Sequence, residues 1–147
     1  MTSTFFVAGV PQPKGSARAF VNKYTGRANV IQDNSEKQAP WASAITATAQ
    51  QRGIKPTRGL SVALAVTFYM PRPKGHYGTG RNLTNLKASA PAHHIVKPDS
   101  DKLLRLVMDA LTGVAYVDDA QVNAVVARKV YVLHGEYVGA EITVMQH

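Results

Sequence analysis

The feature that most limits the fold of this chain is the apolar run from Leu60 to Met70. Gly59 precedes the run and Pro71 follows it, and both residue types commonly end regular structure. The run is far shorter than the ~20 apolar residues that a membrane-spanning helix needs. Ser61 and Thr67 also interrupt it. We therefore predict a β-strand here and do not expect a membrane protein.

The chain before this strand predicts one further strand and one helix. Residues 4–10 are rich in apolar and β-prone side chains and are followed by Pro11. Asn34 is suited to cap a helix that runs to about Gln51 and ends at Gly53. The apolar stripe of that helix, which we interpret as core, contains Trp41, Ala42, Ile45 and Ala49.

The chain after the strand predicts a second helix and two more strands. Apolar side chains recur at helical spacing from Asp101 to Thr112, and Gly113 is placed to end that helix. Residues 122–133 and 137–145 are rich in Val and Tyr, and they flank residues 134–136. We interpret these two segments as a β-hairpin that closes the chain.

Three stretches lack this periodicity. Residues 14–18 are predicted to form a flexible basic loop, and residues 24–27 a turn. A long irregular stretch follows the central strand and extends to Ile95. Loops of that length in a compact domain are usually functional or disordered.

The order strand, helix, strand, helix, strand, strand fits an α+β fold, in which a small mixed β-sheet has helices packed against it. A length of 147 residues fits one domain spanning residues 1–147. The chain contains no cysteine, which excludes disulfides, zinc fingers and iron–sulfur clusters. Its first residues lack the pattern of a signal peptide, so we expect it to stay in the cytosol.

Charge is distributed very unevenly along the chain. Residues 1–98 contain thirteen Lys and Arg and two acidic residues, which gives a net charge of +11. Residues 99–147 contain four Lys and Arg and seven acidic residues, which gives a net charge of −3. A basic surface usually faces a polyanion, and nucleic acid is the commonest one. Plain solubility is the alternative explanation.

Five of the nine acidic residues lie between positions 99 and 119. Asp99 and Asp101 follow Pro98, which favours an extended approach to the helix, so both side chains can point the same way. Asp118 and Asp119 come after one helix and a short loop, and we expect the chain to have returned to the same end of the sheet. The sequence therefore predicts that both pairs share one site.

Clustered carboxylates repel one another unless a cation neutralises them. A metal site made of aspartate oxygens, in a chain that has no cysteine, favours Mg²⁺ or Mn²⁺ over Zn²⁺. An EF-hand is excluded because Leu103 occupies its third ligand position. The alternative is structural, with Asp101 as a helix cap and the second pair as a turn. For His93 and His94 we prefer a phosphate contact or a solvated loop to a metal site.

Several runs of this sequence resemble the RusA family of Holliday junction resolvases. They are GVPQPK at residues 9–14, KPDSDKLLR at 97–105 and DALTGVAYVDDAQV at 109–122, and the final Gly-led strand is also similar. The resemblance spans most of the chain and rests on a long signature.

The resemblance implies a homodimeric, Mg²⁺-dependent endodeoxyribonuclease, with Mn²⁺ as an alternative ion. Such an enzyme cuts four-way DNA junctions by paired symmetric nicks in recombination and repair. The metal-site aspartates of the family match Asp99, Asp101 and Asp119, and we include the neighbouring Asp118 among the candidate ligands. Small phage genomes often carry members of this family, so the expected location is the cytoplasm of a bacterium or of a phage host.

The chain departs from the family pattern Asp-x-Asp-Asn-Leu-x-Lys at two positions. Lys102 replaces the Asn, and Arg105 replaces the Lys that is important for cleavage in the family. Arg105 keeps the positive charge but cannot donate a proton, so its role is electrostatic. Lys102 is the other candidate for this role.

Basic residues of the two irregular stretches are expected to contact the phosphates of DNA. These residues are Lys14, Arg18, Arg72, Lys74, Arg81, Lys87 and Lys97. The first alternative to a nuclease is a DNA-binding protein that has lost cleavage, to which the change at Arg105 points. The second is a nucleotidyltransferase, which the lack of a Gly-rich phosphate loop disfavours.

Overall fold

The computed structural model describes residues 1–15, 17–21, 26–32 and 35–147. Its six strands are β1 Thr2–Ala8, β2 Ala17–Val21, β3 Ala28–Gln32, β4 Val62–Met70, β5 Val122–Tyr131 and β6 Gly139–Gln146. Its two α-helices are α1 Ser35–Gln51 and α2 Ser100–Leu111. Short 3₁₀ turns lie at Lys74–His76, Gly80–Asn82 and Asp119–Gln121.

Four strands form the main sheet in the order β1-β6-β4-β5. β5 runs parallel to β4, whereas β6 is antiparallel to both of its neighbours. Alternate residues of β4 from Val62 to Met70 are buried and share one core with both helices. The expected α+β arrangement, a mixed sheet with helices against it, is confirmed.

The predicted local elements are confirmed with small shifts of their ends. The buried stripe of α1 contains Trp41, Ile45 and Ala49, and Gly53 follows the helix with a positive φ of 77°. The apolar face of α2 is buried at four positions, and Gly113 follows that helix with a φ of 80°. The predicted cap Asn34 lies outside the described residues.

The expected hairpin of the last two strands is wrong, because β4 lies between β5 and β6. Alternate residues of β6 from Ala140 to Val144 are buried, which suits a strand with neighbours on both sides. β5 is exposed from Asn123 to Val126, which suits an edge. The strand order therefore follows the burial of β6 and the exposure of β5, and it does not follow their proximity in sequence.

The basic segment after Pro13 also differs from expectation. The structure places Arg18 on β2, which pairs with β3 in antiparallel fashion from Ala17 opposite Gln32 to Val21 opposite Ala28. The predicted loop at 14–18 is therefore partly a strand. Half of the predicted turn at 24–27, residues 24 and 25, lies outside the described part.

Residues 71–98 form the long irregular connection from β4 to α2. The two 3₁₀ turns and a bridge between Tyr77 and Leu86 organise it. Most of its side chains are exposed. Within the described ranges, no helix has the length and apolar character that a bilayer crossing requires.

Candidate functional site

The first aspartate pair lies at the beginning of α2. Asp99 occupies the N-cap in an extended conformation, and its backbone oxygen accepts a hydrogen bond from the Leu103 amide at 3.1 Å. The Asp99 side chain makes no capping hydrogen bond. Asp101 lies in the first helical turn, and both side chains are exposed. The two carboxylates are therefore available to a ligand, and the helix N-terminus favours their negative charge.

These aspartates line an open cavity of about 790 Å³, which we call the carboxylate pocket. Its other lining residues are His94, Ile95, Val96, Lys97, Ser100 and Lys129. Lys129 reaches this pocket from β5. Its Nζ donates hydrogen bonds to the backbone oxygens of Val96 at 2.5 Å and Pro98 at 2.8 Å.

The sequence pattern does not single out Lys129 as a site residue. It lies 28 positions beyond Asp101, on a strand whose partner was misassigned. The one local signal is the pair Arg128 and Lys129, which interrupts the otherwise apolar run from Val125 to Leu133. Only the parallel pairing of β5 with β4 brings its side chain to the beginning of α2.

The second aspartate pair is held in a 3₁₀ turn just before β5. The Asp118 Oδ1 accepts a hydrogen bond from the Ala120 amide at 2.9 Å, and the Gln121 Oε1 accepts one from the Asp118 amide at 3.0 Å. Gln121 also donates to the backbone oxygens of Thr57 and Leu60. Asp118 is thus used to cap the turn, whereas the adjoining Asp119 carboxylate is exposed.

The neighbourhood of Asp119 is the far end of α2. Tyr116 is fully buried, and its hydroxyl donates to the backbone oxygen of Met108 at 2.7 Å. Burial raises the pKa of Tyr116 strongly, and the negative charges of Asp119 and Asp109 add to that rise. Asp119 therefore lies close to the last turns of the helix.

The two aspartate pairs consequently lie at opposite ends of α2, contrary to the expectation of one shared end. The helix has 12 residues, which at ~1.5 Å per residue separates its ends by about 18 Å. The reason is that β4 and β5 are parallel, so the chain between them, which includes α2, must run back to the end of the sheet where β4 begins. Asp99 and Asp101 lie at the start of this return, and Asp118 and Asp119 lie at its end. Among the residues that the structure describes, no three acidic or histidine side chains are grouped closely enough to bind one metal ion.

The two cations of the family motif differ in exposure. Arg105 is exposed and follows Asp101 by one helical turn, which puts both on one face. Lys102 is half-buried, and its backbone oxygen accepts a hydrogen bond from the Lys14 amide at 3.0 Å. Neither forms an ion pair with an aspartate in the described part of the chain.

Two of the residues predicted to contact DNA interact with other side chains or backbone groups of the same chain. Lys14 forms an ion pair with Asp109 on α2. Arg72 lies over the Tyr131 ring at 4.5 Å and donates to the backbone oxygen of Pro91 at 2.7 Å. The predicted contacts whose side chains are exposed are Lys74, Arg81, Lys87 and Lys97.

The family model of endodeoxyribonuclease RusA matches residues 11–145 of the chain. No curated protein matches the chain. The match covers both aspartate pairs, Arg105 and Lys129.

Proposed function

Since the chain belongs to the RusA family of endodeoxyribonucleases, we propose that it resolves four-way DNA junctions by paired, metal-dependent nicks. The observation that carries this proposal is the carboxylate pocket. Two exposed aspartates stand there beside a fixed lysine, at the surface of a chain whose net charge is +8. A basic protein attracts DNA, and the carboxylates provide oxygen ligands for a metal ion that can promote phosphodiester hydrolysis.

Asp99, Asp101 and Asp119 are the residues that would hold Mg²⁺, with Mn²⁺ as the alternative ion. Their donors are carboxylate oxygens, which suit these hard cations. Among the described residues, none of these three carboxylates accepts a hydrogen bond, whereas the Asp118 carboxylate caps its turn. When bound, such an ion activates water and neutralises the charge that develops on the phosphate.

A homodimer accounts for the separation of the two aspartate pairs. β5 is an edge strand, and the exposed fractions of Val125 and Val126 are 46% and 66%. Exposed apolar edges are templates for pairing with another chain. Antiparallel pairing of two β5 strands would set the beginning of each strand beside the end of its partner. Asp119 of the partner subunit would then lie next to the carboxylate pocket.

This arrangement gives two equivalent sites related by a two-fold axis, as paired nicks require. Each site would combine Asp99 and Asp101 of one subunit with the partner's Asp119. A chain of this size supplies one such site, so the dimer is part of the proposal.

Arg105 is the residue to which we assign stabilisation of the transition state. It is exposed on the same face of α2 as Asp101, so its guanidinium can reach a phosphate oxygen above the pocket. There it would stabilise negative charge that grows during cleavage. The exposed basic residues of 71–98 would contact neighbouring phosphates, and binding should therefore weaken steeply with salt.

A DNA-binding protein without cleavage is the second candidate. The observation that favours it is Arg105, which stands where the family pattern commonly has Lys. Such a protein would bind junctions and leave them intact.

Incubation of the purified chain with a labelled four-way junction and Mg²⁺ tests the proposal. We expect two symmetric nicks, and none on a linear duplex of the same sequence. Asp101→Asn is the matched inactive control, because it removes a carboxylate while preserving size. Binding without nicking in both Mg²⁺ and Mn²⁺ would establish the second candidate. Cleavage by Asp101→Asn at the wild-type rate would refute the site assignment.

A further inference from the structure

A second cavity of about 440 Å³ adjoins the carboxylate pocket, and we call it the proline cavity. The two cavities share His94, Val96 and Lys97. A ligand group in the proline cavity would therefore lie directly beside a phosphate bound over the aspartates. The volume is in the range of ~300–1,000 Å³ that small-molecule sites occupy.

The walls of the proline cavity are apolar and rigid. They include Pro11, Pro71, Pro73 and the ring of Tyr131. Tyr131 is held between cationic and aromatic neighbours: the Arg72 guanidinium lies 4.5 Å and the His94 ring 4.7 Å from its centroid. The site is thus formed before any ligand arrives, which lowers the entropic cost of binding.

In the described part of the chain, the polar residue of the proline cavity with an unpaired side-chain atom is His94. Its side chain is only 7% exposed, yet its Nδ1 has no hydrogen-bond partner among the described residues. A buried polar atom without a partner is costly, and a rotation of the ring that turns Nδ1 toward the cavity would let a ligand satisfy it.

The electrostatics of His94 separate the classes of ligand. Burial, and then the positive charge of Lys129, lower the pKa of the His94 imidazole. The ring is therefore neutral at physiological pH, and it offers one donor and one acceptor but no charge. A phosphate favours a charged imidazole, whereas the edge of a nucleobase is read by neutral hydrogen-bonding groups.

We propose that the proline cavity binds one unstacked nucleobase of the DNA, next to the phosphate that lies over the carboxylate pocket. A base has apolar faces, which suit the prolines, and a polar edge, which suits His94. Lys37 and Lys97 are exposed at the rim, where they can contact the flanking phosphates. This inference rests on the proposed function only in that junction DNA passes over the carboxylate pocket.

The test is a double-mutant cycle between the protein and the base. We would prepare junctions in which single nucleotides near the exchange point are replaced in turn by abasic residues. The affinity of the protein for each junction is then measured in Ca²⁺. We expect wild type to lose about tenfold in affinity at one position, the usual scale for one stacked or hydrogen-bonded base. In His94→Phe, which keeps a flat ring but no nitrogen, the same abasic substitution should cost much less.

Two further variants keep the test independent of the buried histidine. Val96→Trp changes a side chain that is 56% exposed and lines the cavity, so it should fill the space without disturbing the core. It should also remove the abasic penalty. His93→Phe is the matched control, because His93 is exposed and lines neither cavity, and it should keep the full penalty.

Equal abasic penalties in wild type and Val96→Trp at every position would overturn the inference. So would the absence of any penalty in wild type. Ca²⁺ has a larger and looser coordination than Mg²⁺, so we expect it to support binding without turnover, and these results do not depend on cleavage. The proposed function fails separately, if junctions remain uncut in Mg²⁺.

Discussion

The Nζ of Lys129 donates a hydrogen bond to the backbone oxygen of Pro98 at 2.8 Å, and Asp99 follows Pro98 directly in sequence. A second bond from the same atom reaches the Val96 oxygen. The end of strand β5 therefore holds the segment that leads into the carboxylate pocket. The position of Asp99 depends on a residue that is distant in sequence.

Lys129→Met should lower the single-turnover rate of junction cleavage by about 10- to 100-fold. Hydrogen bonds to charged groups contribute ~1.5–3 kcal/mol, and their loss would release the segment that positions Asp99. Lys129→Arg should recover part of the rate, because it keeps the charge and several donors. The matched control is Arg128→Met on the neighbouring, exposed position, which should cut normally. A wild-type rate for Lys129→Met would show that the site does not need this anchor.

Asp101→Asn and Asp119→Asn should each abolish cutting while DNA binding persists, and a mixture of the two variants should regain it. In a mixed dimer, one composite site receives both substitutions and the other receives none. We therefore expect single nicks from the mixture after subunit exchange, measured on a junction labelled in both cleaved strands.

Failure of the mixture to regain cutting, with mixed dimers present by mass spectrometry, would place each complete site within one chain. Asp118→Asn, the neighbouring control, should reduce the rate less, because the Asp118 side chain caps its own turn. Light scattering that gives a monomer mass, with paired nicking retained, would also contradict the composite site.

Arg105→Ala should lower the cleavage rate by ~10²-fold or more, the usual effect of removing one transition-state donor. Arg105→Lys should keep most of the activity, because the charge is what the position supplies. Lys102→Ala should be milder, since Lys102 is half-buried while Arg105 is exposed beside Asp101. Single-turnover rates with saturating junction compare the three variants. If Lys102→Ala is the more damaging change, the charge comes from Lys102 instead.

The free energy of unfolding should fall as the pH drops from about 7.5 to about 5, in part through His94. Its pKa in the folded chain is lowered below 6.5 by burial and by Lys129. Below that pH the unfolded chain binds more protons than the folded one, so stability decreases with decreasing pH.

Urea unfolding at the two pH values measures this contribution. His94→Phe should show a smaller decrease than wild type, and the exposed His93→Phe should show the wild-type decrease. An unchanged pH dependence in His94→Phe would mean that His94 titrates equally in both states.

The sequence by itself determined the local elements. The helical spacing of Leu103, Val107 and Leu111, with Gly113 after them, specified α2, and Gly59 and Pro71 bounded β4. These signals are local because helix periodicity and turn chemistry act between residues a few positions apart. The aspartates and Arg105 were identified in the same way, from their spacing and the family signature.

Tertiary structure decided which residues meet. The choice of β4, rather than β6, as the partner of β5 depends on burial of both edges of β6 against β1 and β4. That choice sends Asp119 to the far end of α2 and brings Lys129 to Asp99. The physical reason is that strand pairing is selected by the burial of a whole sheet, through contacts between residues far apart in the chain, and no local pattern encodes it.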